Sequence, residues 1–225
     1  DFKDDLIKAS FYEAAGEYFW SRTLFTKAKS YLLTANEIYK NQPIDHNSVF
    51  YNNYFLSHVY LNINNYDSAF LFINETIASA ELLEVIDFKL EGLFLLAGYY
   101  INQGNASKAI KVQLELIESA QEIETPYYSL LYRYETELAT YYSENKEDDQ
   151  AFKTIQNVIN TLNKASPNEE VRLAKSFAYK RFITIQKNRK KFDEAIEAVD
   201  SALVYNSKDK NLSIYFDIQI EKASC

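Results

Sequence analysis

The side chains that most often carry enzyme chemistry are scarce in this 225-residue chain. It has two histidines, His46 and His58, and one cysteine, Cys225. These do not supply the four ligands of a standard zinc site, and no serine or cysteine has a recognisable base beside it. Four glycines leave no Gly-rich phosphate loop. We therefore expect no metal, no cofactor and no catalytic residue; an enzyme remains only as an alternative in which turnover would depend on His58.

Charged residues cluster in two segments that we predict to be solvated turns. One is acidic, Glu144–Asp149, and the other holds Lys187, Arg189, Lys190 and Lys191, which could alternatively dock an acidic partner. The formal net charge of −8 argues against direct binding of nucleic acid or of an anionic membrane surface. No apolar run approaches the length of about 18 residues that a membrane-spanning helix needs.

Composition and spacing predict an all-α repeat protein. With 4 Gly and 3 Pro the chain cannot supply the turns of a β-sandwich or barrel. Instead, one pattern recurs: a small residue, an aromatic residue three positions later, and an alanine nine positions beyond that. Its copies are Gly16-Phe19-Ala28, Ser57-Tyr60-Ala69, Ala97-Tyr100-Ala109, Ala139-Tyr142-Ala151 and a degraded Ile183-Gln186-Ala195. The alanines are 41, 40, 42 and 44 residues apart.

Each copy predicts a pair of helices. Apolar residues recur at spacings of three and four within each half, and polar turns separate the halves. The small residue and the alanine allow the two helices to approach closely, and hairpins that cannot bury both faces stack in series. All three prolines fall in the links between pairs. The predicted repeats span 5–42, 46–84, 87–123, 127–165 and 169–206, followed by a terminal helix over 211–224 that either caps the stack or belongs to a longer array.

The pattern resembles the tetratricopeptide repeat (TPR), whose consensus has large, small and aromatic residues on the first helix and alanines on the second. The first unit matches it with Tyr12, Ala15, Gly16, Phe19, Phe25, Ala28, Leu32 and Ala35. The resemblance implies a single domain over 1–225, folded as a right-handed superhelical solenoid of antiparallel helix pairs. Units longer than the usual 34 residues resemble the sensor and regulator forms of the family.

The resemblance also implies a ligand-binding concave groove lined by first-helix residues. Carried over to this sequence, the groove positions are Glu13, Glu17, Trp20, Tyr51, Tyr54, His58, Asn62, Glu91, Phe94, Asn102, Arg133, Thr136, Thr140, Phe177, Lys180 and Thr184. Tyr51, Tyr54 and Phe94 would be aromatic anchors for a ligand, or alternatively would pack between helices. Glu13 and Glu17 stand where chaperone-tail binders of the family hold a terminal carboxylate, which excludes that function here.

We therefore expect a protein- or peptide-binding domain, serving as the sensor or scaffold part of a regulatory protein. Abundant Tyr, Phe, Asn, Lys and Ile are typical of an AT-rich bacterial genome, and the lack of methionine suggests a processed chain or an excised domain. One cysteine leaves the compartment open, with the cytoplasm favoured over the periplasm. The alternative is a self-association module, such as a homodimer in which the terminal helix completes a neighbour's stack.

Overall fold

The described part of the chain is entirely helical. The computed structural model describes residues 2–41, 45–122, 128–205 and 219. Within these ranges ten helices and no strand are found: α1 Phe2–Ser21, α2 Phe25–Lys40, α3 His46–Asn62, α4 Tyr66–Leu83, α5 Ile86–Asn102, α6 Ala106–Gln121, α7 Tyr128–Glu144, α8 Asp148–Lys164, α9 Glu169–Asn188 and α10 Phe192–Tyr205. The predicted terminal helix over 211–224 lies outside the described residues, apart from Gln219.

Within the units, α1·α2, α3·α4, α7·α8 and α9·α10 pack as antiparallel pairs, and the turns of the repeat pattern share one geometry. A residue with a left-handed backbone stands in every turn: Thr23, Asn64, Gly104, Lys146 and Lys190. They are 41, 40, 42 and 44 residues apart, the same distances in sequence as between the alanines of the pattern. The residue after each of them donates a backbone hydrogen bond to the carbonyl oxygen at the second position of the pattern, where most copies have an aromatic residue. Leu24 donates in this way to Phe19, and Asn65 to Tyr60. This bond satisfies a carbonyl that the helix end would leave unpaired.

The small residues of the pattern lie where helices cross. All five alanines at the third mark, Ala28, Ala69, Ala109, Ala151 and Ala195, are fully buried. At Gly16 an added Cβ would lie 2.5 Å from Cγ and 2.7 Å from Cδ2 of Leu32. Real Cβ atoms do not approach carbon this closely, so α1 and α2 pack at a distance that only glycine permits.

The chain divides into two compact units, Asp1–Asn105 and Ala106–Cys225. Unit 1 contains α1 to α5, and its core includes Leu32, Leu56 and Val59. Unit 2 contains α6 to α10, and its core includes Ile155, Val158 and Leu162. In both units, the second helix of one pair packs on the first helix of the next, through α2·α3, α4·α5, α6·α7 and α8·α9.

Two local predictions need correction. The polar residues around His46, beside Asp45 and shortly after Pro43, predict a turn there, but His46 is the first residue of α3, because Asp45 caps that helix by accepting hydrogen bonds from the Asn47 N–H and the Ser48 hydroxyl. The predicted acidic turn over Glu144–Asp149 is shorter in the structure. Helix α7 extends to Glu144 and α8 begins at Asp148, so only three residues separate them.

Candidate ligand-binding surfaces

An aromatic and acidic cluster joins the first helices of unit 1. The His58 ring in α3 lies 5.2 Å from the Trp20 ring of α1 and 4.6 Å from the Tyr54 ring of its own helix. The Tyr54 hydroxyl donates a hydrogen bond of 3.3 Å to Glu91 Oε2 of α5. The structure thus brings together four predicted groove residues from three helices, each of them half-buried.

Glu13 points toward the second helix of its own pair. The Tyr39 hydroxyl donates a hydrogen bond of 2.7 Å to Glu13 Oε2. Burial raises the pKa of Glu13 to about 6, against the lowering effect of this hydrogen bond, and the nearby carboxylates of Glu17 and Asp45 add to the rise. The same contact and its own burial raise the pKa of Tyr39 to about 12. Glu13 is therefore a packing carboxyl at the α1–α2 crossing as well as a predicted groove residue.

Replacing Glu13 with glutamine is expected to stabilise the chain at neutral pH. The folded state raises the pKa of Glu13 above its ordinary value of 4.5, so folding favours the protonated form. Stability from this group is complete below pH 4.5 and is lost as the pH rises through about 6. Glutamine still accepts from Tyr39 and carries no charge. Because the carboxyl is partly solvated, we expect a gain of about 1 kcal/mol at pH 7.5 and none at pH 4.

The measurement is urea denaturation of both forms from pH 4 to pH 8. Glu17→Gln, one turn away on the exposed side of α1, is the control and should change the free energy of unfolding by less than about 0.5 kcal/mol. A gain for Glu13→Gln that is the same at pH 4 and pH 7.5 would contradict the assignment.

The remaining predicted residues of unit 1 lie along the same helices. Tyr51 is exposed and packs edge-on against Phe88, with 5.4 Å between the ring centroids, while Phe94 is half-buried. Asn62 donates from Nδ2 to the carbonyl of His58, one turn earlier. Glu17 and Asn102 are exposed.

Unit 2 contains a cavity between the first helices α7 and α9. Its volume is about 320 Å³, and its lining residues are Leu130, Tyr132, Arg133, Thr136, Glu137, Glu170, Leu173, Ala174, Phe177 and Arg181. Three of these, Arg133, Thr136 and Phe177, were predicted from the sequence. Phe177 is 51% exposed, which is high for a phenylalanine and leaves one face of its ring open to a ligand.

Charged groups of both signs surround this apolar cavity. Arg181 donates from one guanidinium nitrogen to both carboxylate oxygens of Glu137, at 3.3 and 3.4 Å, and both side chains are partly exposed. Arg133 and Glu170 are exposed. A long, solvated ion pair of this kind contributes little stability, so Arg181 can exchange Glu137 for a carboxylate on a ligand at small cost.

Two other predicted residues of unit 2 donate hydrogen bonds within their own helices. Thr140 donates to the carbonyl of Thr136 and Thr184 to that of Lys180, each one turn back along its own helix. Lys180 is half-buried. The basic turn is engaged within unit 2, because the Arg189 guanidinium lies 4.2 Å from the Phe152 ring centroid and 3.4 Å from an Asp149 carboxylate oxygen.

Sequence reasoning missed the other seven residues of the cavity lining: Leu130, Tyr132, Glu137, Glu170, Leu173, Ala174 and Arg181. A signal for two of them was available: Glu137 lies four residues after Arg133, and Arg181 four after Phe177. Residues four apart lie on one helix face, so taking the neighbour four positions on, as well as the one three positions on, would have included both.

Neither a membrane helix nor a metal site is evident in the described ranges. No helix among those residues is both long and apolar enough to cross a bilayer. Nor do three or more metal-binding side chains of the described residues come together.

Known proteins resemble this chain in structure. No family model and no curated protein matches the chain. Among solved structures, apo RapI has a TM-score of 0.78 at 15% identity, covering 96% of this chain and 76% of that one. The TPR-like repeats of a putative kinesin light chain from Podospora anserina have a TM-score of 0.74 at 13% identity, covering 90% and 96%. NprR in complex with its cognate peptide NprX has a TM-score of 0.66 at 12% identity, covering 96% and 59%.

The chain has a tetratricopeptide-like fold. In this fold all sixteen predicted groove residues lie on the first helices of their pairs, α1, α3, α5, α7 and α9. The tetratricopeptide-like pairing explains their spacing, because first helices recur about every 41 residues and each presents the same face. Two separate surfaces result: the aromatic and acidic cluster of unit 1 and the apolar cavity of unit 2.

Proposed function

We propose that this chain is a protein- or peptide-binding tetratricopeptide-like domain, and that the α7–α9 cavity of unit 2 holds an apolar side chain of its ligand. The observation that supports this most directly is the cavity itself. Its volume of about 320 Å³ lies at the lower end of the range for small-ligand pockets. An aromatic or long aliphatic side chain suits such a space better than a whole small molecule.

The charged rim adds specificity to this anchor. Arg133 and Glu137 of α7 and Glu170 and Arg181 of α9 all line the cavity, so polar groups of both signs border the apolar lining. A peptide backbone offers both donors and acceptors to such a rim, and an acidic residue next to the anchor would compete with Glu137 for Arg181. The preferred ligand is therefore an apolar residue adjacent to an acidic one.

The regulatory role is part of the same proposal. NprR, which shares the fold, was solved with a cognate peptide. By analogy, this chain is the peptide-sensing or scaffolding part of a regulatory protein. Long repeats and surfaces rich in aromatic side chains support that role.

A peptide-display selection followed by titration tests the proposal. We expect selected peptides to share a large apolar residue, and Ala174→Trp, which fills the cavity, to raise their dissociation constant at least tenfold. Phe177→Ala, a change at an exposed wall residue, should weaken binding in the same direction without affecting folding. Ala78→Trp, at an exposed alanine of α4 in unit 1, is the matched control.

The titrations and the selection distinguish an error in the site from an error in the function. Binding that Ala174→Trp and Phe177→Ala both leave unchanged would place the ligand elsewhere. A selection that yields no binder in either the wild-type chain or the control would refute the proposed function. Circular dichroism of each variant confirms that the helices are intact.

A further inference from the structure

Helix α1 carries an apolar stripe that faces solvent. Ile7, Phe11, Ala14 and Tyr18 follow one another at spacings of four, three and four, which places them on one helix face. Ile7 is 63% exposed, Phe11 67% and Tyr18 56%. Single exposed apolar residues are common on protein surfaces, but a contiguous stripe of this kind marks an interaction surface.

Aligning the five copies of the repeat pattern, here called the repeat frame, shows what the same face contacts in the other first helices. The positions equivalent to Phe11 are Asn52, Gly92, Tyr134 and Ala178, and all four are buried. Gly92 and Tyr134 contact the second helix of the preceding pair. An added Cβ on Gly92 would lie 2.8 Å from Cγ1 of Ile77 in α4, and the carbonyl of Tyr134 accepts a hydrogen bond of 2.9 Å from Gln113 Nε2 in α6.

The position of Tyr18 leads to the same conclusion. Its equivalent in α5 is Tyr99, whose ring lies 5.1 Å from the Phe70 ring and 6.4 Å from the Tyr66 ring, both in the preceding second helix α4. The exposed face of α1 is therefore the face on which every later first helix receives an amphipathic helix. A helix in that position would bury Phe11 and Tyr18 in the same way.

We propose that a second copy of this chain covers the stripe, with the two α1 helices packed antiparallel around a two-fold axis. If that axis passes between residues 12 and 13, Phe11 lies over Ala14 of the other copy and Ile7 over Tyr18. Large residues then face smaller ones along the whole contact, which is the arrangement that packs helices closely. A two-fold interface requires such self-complementarity, and few stripes have it.

Charge at the edges of the stripe fits the same register. Asp4 lies in the first turn of α1 and Arg22 directly follows its last residue; both are exposed, and the Arg22 guanidinium lies 5.6 Å from the Tyr18 ring centroid. A two-fold axis across the helices brings Asp4 beside Arg22 of the second copy at both ends. The surface is small compared with the roughly 1,600 Å² of a standard interface, so the dimer is expected to be transient.

Sedimentation equilibrium over a range of protein concentrations tests the proposal and requires no ligand, so its outcome is independent of peptide binding. We expect a monomer–dimer equilibrium in which Phe11→Glu raises the dissociation constant at least tenfold. Leu82→Glu is the matched control, because Leu82 is 66% exposed on α4, outside the stripe. Asp4→Arg should weaken the dimer, and adding Arg22→Asp should restore it.

Cysteine cross-linking fixes the register. In a Cys225→Ser background, a mixture of Phe11→Cys and Ala14→Cys chains should form disulfide-linked dimers, and either variant alone should form few. A chain that stays monomeric at every concentration overturns the proposal. Dimers that resist Phe11→Glu, or that cross-link Ala14→Cys chains with themselves as readily as the mixture, overturn it as well.

Discussion

Replacing Gly16 with alanine is expected to lower the free energy of unfolding of unit 1 by about 1–2 kcal/mol. An added Cβ would lie 2.5 Å from Leu32 Cγ, and Leu32 is fully buried, so it has no free space into which to move. Overpacking costs about 1–3 kcal/mol, and an approach as short as this one belongs in the upper half of that range, while the better helix propensity of alanine returns about 1 kcal/mol. Urea denaturation followed by circular dichroism measures the difference.

A double-mutant cycle identifies Leu32 as the cause. Leu32→Ala alone should cost about 2–5 kcal/mol because it leaves a cavity. In that background Gly16→Ala should cost nothing or stabilise the protein, since the opposing atoms are gone. Gly98→Ala is the matched control: no atom lies within 4 Å of its added Cβ, and it should stabilise α5 by about 0.5–1 kcal/mol. An equal cost of Gly16→Ala in both backgrounds would show that the crossing distance is not the reason for glycine.

Features that follow from helix-on-helix packing could be predicted from the sequence. The alanines that mark each repeat are buried because two helices cross at that point, and a larger side chain would separate them. Even the degraded fifth copy keeps the geometry, since the Lys191 N–H still returns to the carbonyl of Gln186. This hydrogen bond joins two backbone groups, so it forms whether or not the accepting residue is aromatic.

Other features depend on interactions that a pattern does not record. Asn52 is completely buried, and neither polar atom of its side chain has a hydrogen-bond partner in the described structure. Polarity alone would place such a residue on the surface. Likewise, Thr23, Lys146 and Lys190 adopt a left-handed backbone where glycine or asparagine would be expected. At Asn52 burial outweighs the polarity of the side chain, and in the three turns the backbone hydrogen bond made by the following residue outweighs the local preference.

The candidate site was partly predictable for a related reason. The repeat pattern indicates which helix face a residue lies on, and on that basis Trp20, Tyr54 and His58 were predicted to line one groove; in the structure the His58 ring contacts both other rings. The pattern does not indicate where neighbouring side chains leave space. The α7–α9 cavity arises from the particular sizes of Ala174 and its neighbours, and the pairing of Glu13 with Tyr39 from the particular reach of a tyrosine.

Replacing Tyr134 with alanine should cost about 3–5 kcal/mol of the free energy of unfolding of unit 2, the range for losing a large buried aromatic side chain. Tyr134 is only 2% exposed. It stands on the face of α7 that packs on α6, where Gln113 donates to its backbone carbonyl. Removing the ring leaves a void at a crossing where helix α6 is also held by that hydrogen bond, so little collapse can refill the space.

Phe11→Ala is the matched control for this prediction, because Phe11 occupies the same position in the repeat frame. Its ring is 67% exposed, so in the monomer the substitution should change the free energy of unfolding by less than about 0.5 kcal/mol. The two urea transitions, measured at a protein concentration where no dimer forms, therefore compare one frame position with and without a covering helix. Similar losses at both positions would mean that α1 is already covered in solution, whereas a negligible loss at Tyr134 would contradict the packing of α7 on α6. The difference between the two variants measures how much a stacked second helix contributes to one residue of the tetratricopeptide-like array.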